Sequence, residues 1–128
     1  MPLELQLLVW SIALAFILAL IAVSGAILQV GLPKLAGNRE GLADCTGLPG
    51  RAQRAHRNML ENLILFAALV LVAQATGRLN AATALGAQVF FWARVAHAVI
   101  YLAGIPWLRT AAWGVSVVGL IMIFLQLV

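Results

Sequence analysis

The stretch RAQRAHRNMLENLILFAALVLVA, residues 51–73, joins a polar segment to an apolar one with no glycine or proline between them. Its first twelve residues include four charged side chains, in a chain of which only 9% is charged. A helix needs about 20 mostly apolar residues to cross the hydrocarbon core of a bilayer. The eleven apolar residues reach that length only if the polar half belongs to the same helix. The stretch therefore predicts a spanning helix that carries charge into the membrane.

Three further segments are long and apolar, and 64% of the 128 residues are hydrophobic. Residues 5–33 carry no charge and do not have the short apolar core of a signal peptide, so they are kept as the first helix. The glycine-rich segment Lys34–Gly50 is predicted to be the one substantial loop. The sequence thus predicts an all-α, integral membrane four-helix bundle, a single domain over residues 1–128, with helices at about 3–30, 51–76, 79–104 and 107–127.

Charge is distributed unevenly along the chain and predicts its orientation. Most basic residues fall on the side that holds the first and third connections: Lys34, Arg39, Arg51, Arg54, Arg57 and Arg109. Only Arg78 lies on the other side, so the positive-inside rule places both termini on the non-cytoplasmic side. Basic residues at membrane boundaries do not indicate a nucleic-acid partner. The brevity of the chain and its preference for arginine over lysine favour a bacterial inner membrane. The single cysteine, Cys45, is interpreted as an ordinary loop thiol.

The second and third predicted helices each have one polar face. At about 100° per residue, five polar side chains of the second helix share an arc of about 120°: Arg51, Arg54, Arg57, Asn58 and Glu61. In the third helix, three polar residues at the spacing i, i+3, i+7 share a stripe about 60° wide: Arg94, His97 and Tyr101. His56 points away from the first arc, which predicts a structural or interfacial role for it.

Glu61 and Arg94 are predicted to lie at one depth. If the two helices pack antiparallel, both residues lie about 15 Å from the cytoplasmic end, at a rise of about 1.5 Å per residue. A lone ion near mid-bilayer costs on the order of 3 kcal/mol, so the two side chains are expected to form an ion pair. The surplus of donors around this one acid favours a cleft for an anion with several carboxylates over a pair that only joins two helices. A small peptide-like anion with an amine fits this description.

The motifs RAHRNxxEN in the second helix and ARVAHAVIYLxG in the third, with RT at the start of the fourth, resemble the MAPEG proteins. These are the membrane-associated proteins of eicosanoid and glutathione metabolism. The similarity covers about residues 51–110 and is nearest to the branch of microsomal prostaglandin E synthases and microsomal glutathione transferases. The resemblance implies a homotrimer of four-helix subunits, with glutathione bound in a polar cleft between neighbouring subunits.

The resemblance also implies a role for individual residues. Carried over by position, the glutathione contacts are Arg54, Arg57, Asn58, Glu61, Arg94, His97 and Tyr101. The implied catalytic residues are Arg109, which activates the thiol, Tyr101, and Thr110, which stands where the branch has a serine. A guanidinium or phenol near sulfur favours the thiolate, which is the nucleophile. No metal site is expected.

The chain also departs from the pattern of this branch. Gly31 stands where the branch has a basic residue at the end of the first helix, and Lys34, one turn on, is the candidate substitute. Leu65 replaces a proline that often follows the glutamate, and Asp44 is only a candidate for an implicated loop residue. With these differences, glutathione binding is still expected, whereas prostaglandin chemistry is not expected.

Three functions are weighed. The first is a glutathione-dependent membrane enzyme, a transferase or peroxidase that acts on lipophilic electrophiles entering from the bilayer; the electrophile, and an isomerase activity, stay open. The alternative is a non-catalytic, lipid-binding MAPEG scaffold protein. A small multidrug transporter is disfavoured, because such transporters carry a lone membrane glutamate in the first helix, where this chain has no acid beyond Glu4.

Overall fold

The computed structural model describes all 128 residues and contains five helices: α1 (Leu3–Val30), α2 (Leu32–Ala36), α3 (Gly47–Ala75), α4 (Ala81–Ala103) and α5 (Pro106–Leu125). Four of the five are long and apolar enough to cross a membrane, and α2 is a single short turn between two of them. The prediction of an all-α bundle with four membrane helices is confirmed.

The connection between the first two spanning helices is shorter than the predicted loop over Lys34–Gly50. The chain leaves α1 at Gly31, whose φ of 98° ends the helix, and forms α2 at once. At the far end, α3 begins at Gly47, four residues earlier than predicted, with Pro49 in its first turn. A proline has no N–H to donate, but first-turn N–H groups have no acceptor in the helix. Pro49 is therefore part of the helix start, although in the sequence it read as loop.

The other two helix starts are fixed by local chemistry. The Asn80 side chain accepts a hydrogen bond from the Thr83 backbone N–H, and the Thr83 hydroxyl accepts one from the Asn80 backbone N–H. This reciprocal pair satisfies N–H groups that the first turn of α4 leaves free. At its other end α4 stops at Gly104, which is left-handed with φ 81°, and Pro106 is the first residue of α5.

Packing within the chain pairs α1 with α3 and α4 with α5, while α3 and α4 share a smaller interface. The larger apolar cluster includes the Phe66 and Phe90 rings, which stack with centroids 4.2 Å apart. One polar contact joins α1 to α4: the Thr83 hydroxyl lies 2.6 Å from an oxygen of Glu4, which is buried. Sequence reasoning assigned Glu4 no place in the core.

Two glycines bring α4 and α5 into close contact. A Cβ built on Gly119 would lie 2.6 Å from the Gly86 carbonyl oxygen and 2.7 Å from the Phe90 backbone nitrogen. Because both obstacles are backbone atoms, a side chain at this position has no rotamer that avoids them. Gly114 lies on the same helix, and a Cβ there would meet nothing within 4 Å.

We expect Gly119→Ala to destabilise the protein by about 1–3 kcal/mol, the usual cost of overpacking a core. The matched change Gly114→Ala is expected to be neutral or stabilising by up to about 1 kcal/mol, because alanine favours helix and has room there. Thermal unfolding of both variants in detergent, followed by circular dichroism, checks the pair. Equal melting temperatures for the two variants would contradict the close approach of α4 and α5.

Candidate functional site

A polar cleft of about 280 Å³ opens between α3, α4 and α5. Its walls are formed by Asn58, His97, Tyr101, Arg109, Thr110 and Trp113. Five of these six residues are ones that the sequence predicted for the site. No acidic side chain lines the cleft, so its chemistry is that of hydrogen-bond donors and positive charge.

The aromatic side of the cleft positions Arg109. Tyr101 and His97 lie one turn apart on α4, both buried, with ring centroids 5.5 Å apart in an edge-to-face arrangement. The Arg109 guanidinium, on the first turns of α5, lies over the Tyr101 ring with its Cζ 4.5 Å from the centroid. A guanidinium over an aromatic face is attracted by the ring quadrupole. The contact therefore holds the arginine of one helix at a defined place against another.

Behind Asn58 lies a buried cation. The Arg94 side chain is 1% exposed, and its Nη2 donates a 2.7 Å hydrogen bond to the Asn58 Oδ1. The other two guanidinium nitrogens of Arg94, Nε and Nη1, are buried without a partner. Unmade hydrogen bonds of a buried charged group are costly, and buried groups without partners often mark functional sites.

The expected ion pair between Glu61 and Arg94 is wrong. Arg94 bonds to Asn58, one helical turn nearer the start of α3, and Glu61 lies on the exposed face of that helix. Positions 58 and 61 differ by about 60° around a helix, which is enough to turn one side chain toward α4 and the other outward. The helical periodicity placed both residues in one polar arc of α3, but this arc covers both the face toward α4 and the exposed face.

Four of the predicted glutathione contacts do not line the cleft: Arg94 lies behind Asn58, and the other three lie on α3. Arg54, Arg57 and Glu61 form an exposed stripe along α3. Glu61 is the central residue of that helix, fourteen residues from either end. Arg51, the fifth member of the predicted arc, is tied elsewhere: its Nε donates to the Leu102 carbonyl at the end of α4. The structure of one subunit thus separates the predicted residues into two groups.

A second cavity, of about 570 Å³, lies between α1, α2 and α3. Its walls are apolar, with small alanine side chains from α1 and leucines from α2. Polar residues stand among them: Arg39, Asp44, Gln53, His56 and Arg57. Asp44, the loop candidate, and His56, which was expected to face away from the polar arc, therefore border this cavity and not the cleft.

Comparison with known protein families gives a match over most of the chain. The model of the MAPEG family matches residues 7–128. The chain belongs to the MAPEG family. No curated protein and no solved structure gives a match. Membership supports, in general terms, a membrane function related to glutathione or eicosanoid metabolism.

Sequence reasoning missed two residues at the cleft or directly beside its wall. Trp113 lines the cleft one turn beyond Arg109, and Asn62 lies one turn beyond Asn58, to which its Nδ2 donates. Both stand at the spacing i, i+4 from a predicted residue, which places them on the same helix face. That spacing was the available signal. Neither residue was assigned a role from the sequence, although Asn62 is the last residue of the motif RAHRNxxEN.

One departure from the family branch has a structural basis. Gly31, which stands where the branch has a basic residue, has a φ of 98°. Side chains other than glycine rarely adopt that conformation, so an arginine here would strain the backbone. Lys34, the candidate substitute, lies exposed on α2.

We expect Asn58→Leu to destabilise the subunit by about 1.5–3 kcal/mol, because Arg94 then loses the one acceptor it has in the bundle. The double variant Asn58→Leu/Arg94→Met removes the buried charge as well and should recover most of that loss. Melting temperatures of the wild type, both single variants and the double variant in one detergent measure the coupling. Strictly additive losses in the double variant would contradict the pairing.

Proposed function

We propose that this MAPEG protein is a glutathione-dependent membrane enzyme, a transferase or peroxidase of the prostaglandin E synthase and glutathione transferase branch. The observation that carries the proposal is the placement of Arg109 over the Tyr101 ring, 4.5 Å from its centroid, at the edge of a polar cleft without acidic side chains. That combination suits a peptide-like anion that carries a thiol.

The donor set fits glutathione. Asn58 and Arg109 offer N–H groups to carboxylate or carbonyl oxygens, and Arg94 adds positive charge behind Asn58. Bound glutathione would supply the nucleophilic sulfur for conjugation or reduction. Arg109, Tyr101 and Thr110 are the groups that would stabilise the thiolate, by charge and by hydrogen bonds from the guanidinium and hydroxyl groups.

The exposed stripe of α3 supports a homotrimer with the site between subunits. An acid at mid-bilayer that faces lipid costs on the order of 3 kcal/mol, and Arg54 and Arg57 add two cations to the same face. A neighbouring subunit packed on this face removes the charges from lipid. It also brings the stripe to a shared cleft, where Glu61 would bind the amine of glutathione.

The lipophilic electrophile has a candidate site of its own. The cavity between α1, α2 and α3 holds about 570 Å³, and nine of its fourteen lining residues are hydrophobic. Arg57 belongs both to this cavity and to the exposed stripe, so the two features adjoin. We propose that the electrophile reaches the thiolate from this side, out of the bilayer.

The proposed orientation follows from charge. The connection that contains α2 and the start of α5 carry the basic residues, so this side is proposed to be cytoplasmic and both termini non-cytoplasmic. A bacterial inner membrane is the proposed location. Cytosolic glutathione then meets the end of the bundle at which Arg109 lies.

We expect Arg57→Ala and Glu61→Ala each to abolish glutathione binding, because each removes a charged contact of the proposed site. Isothermal titration calorimetry with reduced glutathione measures binding, with oxidised and S-alkylated glutathione as comparisons. Native mass spectrometry should find three copies in both variants. Arg78→Ala is the control, since Arg78 lies at the other end of the bundle and its Nη1 donates to the Leu127 carbonyl. Retained binding in both site variants would refute the site assignment.

Turnover of a chlorinated dinitrobenzene with glutathione distinguishes an enzyme from a lipid-binding scaffold. We expect the wild type to be active and Arg109→Gln to lower kcat by about 100-fold, the usual effect of removing one charge-stabilising donor. Arg78→Gln is the matched control, because Arg78 lies at the other end of the bundle and its Nη1 donates to the Leu127 carbonyl. Glutathione binding without turnover of several electrophiles would favour the scaffold.

A further inference from the structure

The carboxamide of Asn58 is held by two donors on one atom. Its Oδ1 accepts the 2.7 Å hydrogen bond from the Arg94 Nη2 and a second, at 3.3 Å, from the Asn62 Nδ2. The same Asn62 nitrogen donates at 2.8 Å to the Asn58 backbone carbonyl, which fixes the Asn62 side chain along the helix. Asn62 is 7% exposed and lies outside the cleft.

This pattern decides which end of the Asn58 amide faces the cleft. An asparagine amide has an acceptor and a donor at opposite ends, and its orientation follows from its partners. Because Arg94 and Asn62 both present N–H groups, they satisfy the Oδ1 of Asn58 and leave its Nδ2 without a partner among them. The Nδ2 group is left to point toward the cleft, which Asn58 lines together with His97 and Arg109.

We propose that Asn62 is a positioning residue that, with Arg94, locks the Asn58 amide so that the cleft receives its N–H donors. The inner end of the cleft is thereby selective for a hydrogen-bond acceptor, a carboxylate or carbonyl oxygen of the ligand. The inference rests on the proposed glutathione binding and adds to it a residue that does not touch the ligand.

A purely structural role for Asn62 makes a different prediction. Polar side chains inside helices often bond to the carbonyl four residues earlier, with no effect beyond the helix. Loss of such a bond, or of filled space, lowers the stability of the helix and leaves the ligand affinity of the folded protein unchanged. The lock predicts a loss of affinity as well, because an aspartate presents oxygen atoms to the Asn58 Oδ1 in place of an N–H group. Asn62→Asp is then expected to repel that oxygen and to leave the Arg94 bond as the only one that orients the amide.

The test compares glutathione affinity by calorimetry in Asn62→Leu and Asn62→Asp, with Ser11→Ala as the control. Ser11 is fully buried, its hydroxyl bonds to the Leu7 carbonyl four residues earlier, and its side chain does not line the cleft. We expect Asn62→Leu to raise the Kd about three- to tenfold and Asn62→Asp to raise it further. Ser11→Ala should stay within about twofold of the wild type. With turnover as the readout, KM for glutathione should rise and kcat should stay unchanged.

A double-variant cycle completes the test. In an Asn58→Ala background the amide is gone, so Asn62→Leu should have no further effect on affinity. An equal loss in both backgrounds, or wild-type affinity in Asn62→Asp, would overturn the lock. If the wild type itself does not bind glutathione, the proposed function fails and the lock fails with it. Normal binding in the wild type and in both Asn62 variants overturns the lock alone.

Discussion

The hydrogen bond between Arg94 and Asn58 is the constraint on which the site depends. A guanidinium that is 1% exposed inside a membrane bundle needs partners, and the chain gives it one neutral amide. A neutral acceptor satisfies one N–H but does not neutralise the charge. Because Asn58 also forms the wall of the cleft, the uncompensated charge lies directly behind it. No acidic side chain neutralises the Arg94 charge, so this charge would stabilise an anion bound in the cleft.

Small residues place the catalytic candidates around this charge. Gly86 and Gly119 allow the backbones of α4 and α5 to touch, and the tight turn through Gly104 returns the chain directly from one helix to the other. This geometry brings Arg109, near the start of α5, over Tyr101, near the end of α4. Both contacts belong to the interface of α4 and α5, the glycine pair near one end and the cation–ring contact near the other. The packing of the core and the geometry of the site therefore have a common origin.

The sequence predicted the type of structure better than the individual contacts. Apolar length and helical periodicity were enough for four membrane helices, and the shared faces of His97 and Tyr101 were enough for one polar wall. The partner of Arg94 was not predictable in this way, because a polar arc of about 120° covers both the side that meets α4 and the side that faces out. The start of α3 was missed for a local reason: Pro49 is compatible with a loop or with a first helical turn, and only the packing of the connection decides.

The split of the polar residues between two faces of α3 is itself informative. A buried group alone would be compatible with a subunit that works by itself. The exposed group favours a neighbouring subunit, since Glu61 lies at the middle of the helix with two arginines on the same stripe. One acid and two cations leave an excess of positive charge on that face even after they pair with one another. A neighbouring subunit hides this excess from lipid but does not neutralise it, whereas a bound anion at the interface does both. The charge balance thus supports the proposed trimer and the proposed ligand for the same reason.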